Sequence, residues 1–119
     1  MTASRILRPQ GTSRFVFFCD HASNHIPAEL HRLGLPVAER ARHIAWDIGA
    51  AGVTAALSKI LDAPAILCNT SRIVIDCNRQ LNLADLIPEI SDGTVIPGNL
   101  NLSEIDKGIR ITRWFHPYH

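Results

Sequence analysis

Arg14-Phe-Val-Phe-Phe-Cys-Asp-His-Ala-Ser-Asn-His-Ile-Pro27 is the stretch that decides the reading. Phe15 through Cys19 are apolar without a break, and the chain turns polar at Asp20. A run that is apolar on both faces predicts a buried central strand, here Arg14–Asp20. The polar residues after it then sit at a strand's carboxyl end, where open α/β sheets gather their ligands. Pro27 predicts the first position of a short helix, Pro27–Leu33, closed near Gly34.

Downstream, Ile44, Ile48, Val53, Leu57, Ile60 and Leu61 recur at spacings near three and four. That stripe predicts helix from Ala38 to Leu61, ended by Asp62 and Pro64. Gly49 and Gly52 weaken it and allow two helices meeting near Trp46. Ala65–Asn69 and Arg72–Asp76 read as strands from their β-branched content and the Asn-Thr-Ser break between them. A segment rich in Gly, Pro, Asn and Asp runs from about Asn78 to Leu102, long enough to imply function or poor order. Ser103 with Asp106 predicts a capped helix reaching about Phe115, interrupted by Pro117. This order of elements argues for a layered α/β domain spanning residues 1–119, with no repeat, linker or second domain.

Composition removes several classes. The chain has 119 residues, 46% hydrophobic and 19% charged, with a formal net charge of +1 at pH 7. Those values are ordinary for a globular chain and exclude a disordered one. No cluster of Lys and Arg marks a nucleic-acid surface, and no apolar run reaches the ~20 residues that span a bilayer. The first residues lack an apolar leader core, so the expected location is the cytoplasm. Cys19, Cys68 and Cys77 show no metal-finger spacing and read as buried small hydrophobes.

Four clusters can carry chemistry. In the first, Asp20, His21 and Asn24 offer a carboxylate, an imidazole and an amide oxygen to a divalent metal, although Ser23 and Asn24 suit helix capping equally well. His25 and His31 read as solvated surface residues. The second is His43 and Asp47, which a helix would place on one face, either as a carboxylate–histidine pair or as plain packing around Trp46. The third is Ser71-Arg72-Ile-Val-Ile-Asp76-Cys-Asn78-Arg79. Its arginines suit an anionic substrate, because guanidinium grips carboxylate through two parallel hydrogen bonds; Asp76 would orient Arg79, or form a structural pair with it. The fourth is the loop Ser91–Asn99, followed by His116-Pro117-Tyr118-His119.

Together these segments resemble the N-formylglutamate amidohydrolase family. The carrying residues are CDHASNHIP at 19–27, HIAWDIGA at 43–50, SRIVIDCNR at 71–79, SDGTVIPGN at 91–99 and PYH at 117–119. Five separated motifs in the family's order are far more specific than any one. The match corresponds to about the first half of the usual family length.

The resemblance implies a three-layer α/β/α fold like that of zinc carboxypeptidases and other phosphorylase/hydrolase-like domains, here with an incomplete sheet. It implies a Zn2+-dependent hydrolase of histidine breakdown that splits N-formyl-L-glutamate into formate and glutamate. Relatives use a His-x-x-Glu pair after the first strand; here Asn24 stands in place of Glu, leaving His21 the firmest metal ligand with Asn24 and Asp20 beside it. Asn78 and Arg79 are similar to an Asn-Arg pair that grips a substrate carboxylate, with Arg72 in support. His43, Asp47, Asp76 and His119 are further candidates. The resemblance places a further metal ligand and the general base beyond His119, so the chain is expected to be truncated. Exposed strand edges would then invite self-association. Two other readings stand beside this one: a remnant that binds an acidic N-acyl amino acid without cleaving it, and a cysteine hydrolase built on Cys19 and His21.

Overall fold

The computed structural model describes residues 1–119. Its sheet is built around β3, Ala65–Cys68, the middle strand of a 3-stranded sheet. β1, Ser4–Leu7, pairs with β3 antiparallel. β2, Phe17–Cys19, pairs with its other side in parallel. β3 agrees with the predicted strand to within one residue. β1 was not anticipated: four residues with Arg5 among them carry no clear alternation, and only pairing with β3 makes them a strand.

The Arg14–Asp20 run corrects the reading made of it. It forms a short edge strand rather than a buried central one, because nothing in the chain pairs with its outer side. Phe17 and Cys19 face inward with Ala65 and Leu67, while Phe18 is 68% exposed.

The predicted helix 38–61 also breaks up. α1 covers only Val37–Arg40, residues 41–49 form turns, and α2 spans Ala50–Leu61. Gly49 sits at φ 89°, a left-handed conformation that glycine adopts at no steric cost and that ends any continuous helix. Ala50 and Ala51 let α2 lie close against the sheet. Most of the apolar stripe therefore points outward, Val53 and Ile60 among the exposed residues. The helix predicted at Pro27–Leu33 is a 3-10 turn, Ala28–Gly34, with left-handed φ at His31, Arg32 and Leu33.

Arg72–Asp76 was expected to be a strand and is a turn. Ile73, Val74 and Ile75 are nonetheless fully buried in the main core. Buried backbone must find partners, and here side chains supply them. The Asn99 amide donates to the Ile73 carbonyl at 2.8 Å and to the Pro88 carbonyl at 2.7 Å. Arg110 donates to the Val74 carbonyl at 2.9 Å and to Asn99 Oδ1 at 2.6 Å. Both residues are buried.

The long segment after Asn78 is ordered by the same network. Ile90–Ser91 (β4) and Thr94–Val95 (β5) make a hairpin closed by Asp92 and Gly93, both at positive φ, as an Asp-Gly turn requires. Gly98 packs so tightly that a Cβ would lie 2.7 Å from the Leu33 Cα. The last helix starts as expected: the Ser103 hydroxyl caps α3, Glu104–Arg110, by accepting from the Asp106 amide at 3.1 Å. A π-helical turn, Ile111–Phe115, and a final short helix α4, His116–Tyr118, complete it.

Asn99→Ala removes the partner of two carbonyls and one guanidinium, and should lower unfolding free energy by about 3 kcal/mol at roughly 1–3 kcal/mol per orphaned buried group. Gly98→Ala should cost ~1–3 kcal/mol through overpacking against Leu33. Urea denaturation of both variants checks these values, and a wild-type midpoint for Asn99→Ala would show that the network contributes nothing.

Candidate active site

Three segments are tied into one corner by their backbones before any side chain is considered. The Asp47 amide donates to the His21 carbonyl at 3.0 Å, and the Ser71 amide to the His25 carbonyl at 2.8 Å. The Ala45 carbonyl accepts from the Ser71 hydroxyl at 2.7 Å and the Arg72 amide at 3.2 Å. The end of β2, the turns before α2 and the 71–79 turn thus converge.

Their side chains close a ring of alternating charge. His21 Nε2 lies 2.7 Å from Asp76 Oδ1, and His21 Nδ1 lies 3.2 Å from Asp47 Oδ2. Arg72 completes the ring, with Nη2 3.1 Å from Asp76 Oδ2 and Nη1 3.3 Å from Asp47 Oδ1. The Asn78 amide adds a 2.9 Å bond to Asp76 Oδ1. Asp76 is buried, while Asp47 and Arg79 open to solvent.

This geometry fixes protonation. A neutral imidazole carries one N–H, yet both ring nitrogens of His21 face carboxylates, so only the imidazolium satisfies both contacts. Burial by itself would lower the His21 pKa, but the Asp76 hydrogen bond and charge, helped by Asp47, outweigh burial and the Arg72 charge and leave it raised. Burial would likewise raise Asp76, but His21, the Asn78 amide and Arg72 hold it below its ordinary value.

The predicted site residues separate into two groups. His21, Asp47, Arg72, Asp76, Asn78 and Arg79 come together. Asp20 and Asn24 do not join His21: Asp20 accepts from the Tyr118 hydroxyl at 2.6 Å, and Asn24 donates to the Arg40 carbonyl at 3.0 Å. His43 and Asp47 share no helix face, since residues 41–49 are turns. His43 instead meets Asp92 at 3.1 Å, beside Arg42, which also bonds Thr94 and Glu39. That exposed network holds the β4–β5 hairpin. His119 packs on Phe115 and bonds the Cys77 carbonyl at 2.9 Å, bracing the 71–79 turn. Cys19 faces the α2 side of the sheet among Ala22, Ala65 and Leu67, which gives no support to a nucleophilic role with His21.

Arg72, expected to support the grip on a substrate, pairs both its terminal nitrogens with Asp47 and Asp76. Arg79 is the available cation. Its Nε lies 3.7 Å from Asp76 Oδ2 and 3.5 Å from Asp85 Oδ2, too far for hydrogen bonds, and its side chain is 41% exposed. Tyr118 and Asn99 lay inside quoted motifs without an assigned role and Arg110 lay in the predicted helix after Ser103, and no spacing in the sequence marks their contacts.

A catalytic zinc needs about three protein donors and an open position. Both His21 nitrogens are engaged, Asp20 and Asn24 are turned elsewhere, and no group of three or more His, Cys, Asp or Glu residues is arranged to hold a metal. The donors of this chain do not fit a zinc ion on their own.

Residues 13–119 match the family model described as N-formylglutamate amidohydrolase. The chain belongs to the N-formylglutamate amidohydrolase family. A crystal structure of a gene product from Agrobacterium tumefaciens superposes with a TM-score of 0.97 at 32% identity, over 99% of this chain and 47% of that one. The chain thus spans about half the length of that protein. A search of curated proteins returns no match. Against this family background, the corner at the end of β2 is the place where the motifs at 19–27, 43–50 and 71–79 meet.

The His21–Asp76 pair sets a pH dependence. With its folded pKa raised, His21 stabilises fully below its ordinary 6.5 and loses that contribution as pH rises through the folded value. Asp76, depressed, stabilises above its ordinary 3.8 and loses this as pH falls through the folded value. The pair should therefore contribute most between pH 3.8 and 6.5. Asp76→Asn should cost about 3–5 kcal/mol, because it strands a buried cation. Thermal melts across pH 3–9 on both proteins check this; parallel profiles would refute the pairing.

Proposed function

We propose that this chain supplies the anion-recognition half of an amidohydrolase that cleaves a small N-acylated acidic amino acid, N-formyl-L-glutamate above all, to formate and L-glutamate in histidine degradation. Family membership supports the hydrolase class. The observation that carries the substrate class is Arg79, an exposed guanidinium beside the ring at the end of β2 that hydrogen-bonds neither Asp76 nor Asp85.

In this reading Arg79 takes a substrate carboxylate through two parallel hydrogen bonds, with the exposed Asn78 beside it. Arg72, neutralised by its two aspartates, positions rather than binds. It holds Asp76 and Asp47 in place, and they keep His21 cationic. With both ring nitrogens engaged by Asp76 and Asp47, the imidazolium braces the site rather than donating to the substrate itself. The water-activating base lies outside the groups assigned here.

The complete α/β/α three-layer fold and a cytoplasmic location belong to the same proposal. Supporting the fold is the uncovered face of the sheet, on which a further layer can pack. Zinc belongs to it only together with donors from further polypeptide, given the misfit of the local set. That misfit also favours the second reading, a chain that binds the acidic substrate without cleaving it.

Calorimetry with N-formyl-L-glutamate tests the clamp. Arg79→Ala should weaken binding roughly tenfold to a hundredfold, the worth of a hydrogen bond to a charged group; unchanged affinity would remove Arg79 from the site. A second expectation concerns metal: adding zinc, or a chelator, should leave the melting temperature of the chain unmoved. A rise that grows with zinc concentration would reveal a site assembled in solution.

A further inference from the structure

Cys68 and Cys77 are buried reactive groups that the charge ring leaves unused. Cys68 ends β3, and Cys77 directly follows Asp76. Their sulfurs lie 3.9 Å apart, and both residues are free thiols buried in the main core. Cys19 is a free thiol as well, in the separate cluster with Ala22, Ala65 and Leu67. Packing alone asks only for a small apolar side chain at each position. Here two of the three thiols meet sulfur to sulfur, at the two ends of a segment that holds Arg72 and Asp76. A disulfide has an S–S distance of about 2.05 Å, so the pair must close by roughly 1.9 Å. Burial keeps large reagents out. Cys77 is nonetheless the last buried residue before residues 78–85, which are all exposed, so a local opening of the turn admits a solute as small as hydrogen peroxide.

We propose that Cys68 and Cys77 form a peroxide-sensitive dithiol, whose oxidation to a disulfide displaces the 71–79 turn and loosens the hold of Asp76 on His21. The two sulfurs differ in character. The Cys68 thiol lies below its ordinary pKa, chiefly through its contact with Cys77, while Cys77 is pushed up by that same contact and by burial. Cys68 is therefore the attacking sulfur. Its thiolate takes one oxygen of hydrogen peroxide as the O–O bond breaks, and the other oxygen leaves as hydroxide, which the released thiol proton converts to water. The Cys77 sulfur then attacks the sulfenic sulfur. The S–S bond forms, the S–O bond breaks, and the oxygen departs with the Cys77 proton as a second water. Two thiols have given up two electrons, and the peroxide has accepted them. The bridge draws Cys77 toward the end of β3, while Ser71 stays held by the His25 and Ala45 carbonyls. Asp76 lies between these two anchors in the chain. Its 2.7 Å contact with His21 has little room before it passes the ~3.2 Å limit of a good hydrogen bond. The displacement rests on the sulfur geometry; its effect on substrate affinity rests on the function proposed above.

The test treats the full chain with stoichiometric hydrogen peroxide. The expected product is lighter by about 2 Da, trypsin releases residues 60–72 joined to residues 73–79, and Cys19 stays free. The nitrogen-15 signals of the His21 ring should move. Affinity for N-formyl-L-glutamate should fall roughly tenfold, the worth of one hydrogen bond to a charged group. Dithiothreitol should reverse both changes. Cys77→Ser should give no bridge and leave Cys68 as a sulfenic acid that dimedone labels. Oxidation of Cys19 ahead of the pair overturns the proposal, as does a sulfinic acid in place of the bridge or a bridge that leaves the His21 signals unmoved. A bridge that moves those signals without changing the affinity upholds the switch and sinks the substrate assignment.

Discussion

The buried carboxylate of Asp76 is the constraint from which the site follows. Removing a carboxylate from water is costly unless charges and hydrogen bonds replace the lost solvation. Asp76 receives an imidazole nitrogen, a guanidinium and a backbone amide. Arg72 and Asn78 come from the same buried turn as Asp76, and His21 comes from the end of β2. Satisfying that carboxylate ties the 71–79 turn to the end of β2, and His21 and Arg72 extend the tie to Asp47.

The same compensation divides labour between the arginines. Arg72 is spent on Asp76 and Asp47, so its charge is balanced within the ring. Arg79 hydrogen-bonds neither Asp76 nor Asp85 and keeps its fork for a ligand. A cationic His21 then makes electrostatic sense, because two carboxylates flank it and only one guanidinium is bound to both.

Much of this was legible in the residues. β3, the Ser103 cap and the gathering of Asp76, Asn78 and Arg79 follow from local pattern, because each depends on neighbours a few positions away. The failures share one cause: partners distant in sequence. Ile73-Val-Ile75 has strand composition, but its carbonyls are met by Asn99 and Arg110, so no ladder is needed. The 38–61 stripe has helical spacing, but the turns at 41–49 deliver Asp47 to His21 and His43 to Asp92. Arg14–Asp20 has the composition of a central strand and lacks a neighbour on one side. Asp20 and Asn24, expected beside His21, hydrogen-bond instead to the Tyr118 hydroxyl and the Arg40 carbonyl, partners distant in sequence.

The surface repeats the lesson. Val53 and Ile60 on α2, like Ile6 and Phe18 on the sheet, are apolar side chains whose pattern specifies burial that these residues do not themselves provide.

The most direct test of the account is the protonation of His21, followed by nitrogen-15 NMR of its ring across pH. The account requires an imidazolium with both nitrogens protonated at pH 6 and a pKa above the ordinary 6.5, falling when Asp76 is replaced by Asn. A ring that is neutral at pH 6, with one bare nitrogen, would contradict the charge ring and return His21 to the role of a metal-ligand candidate.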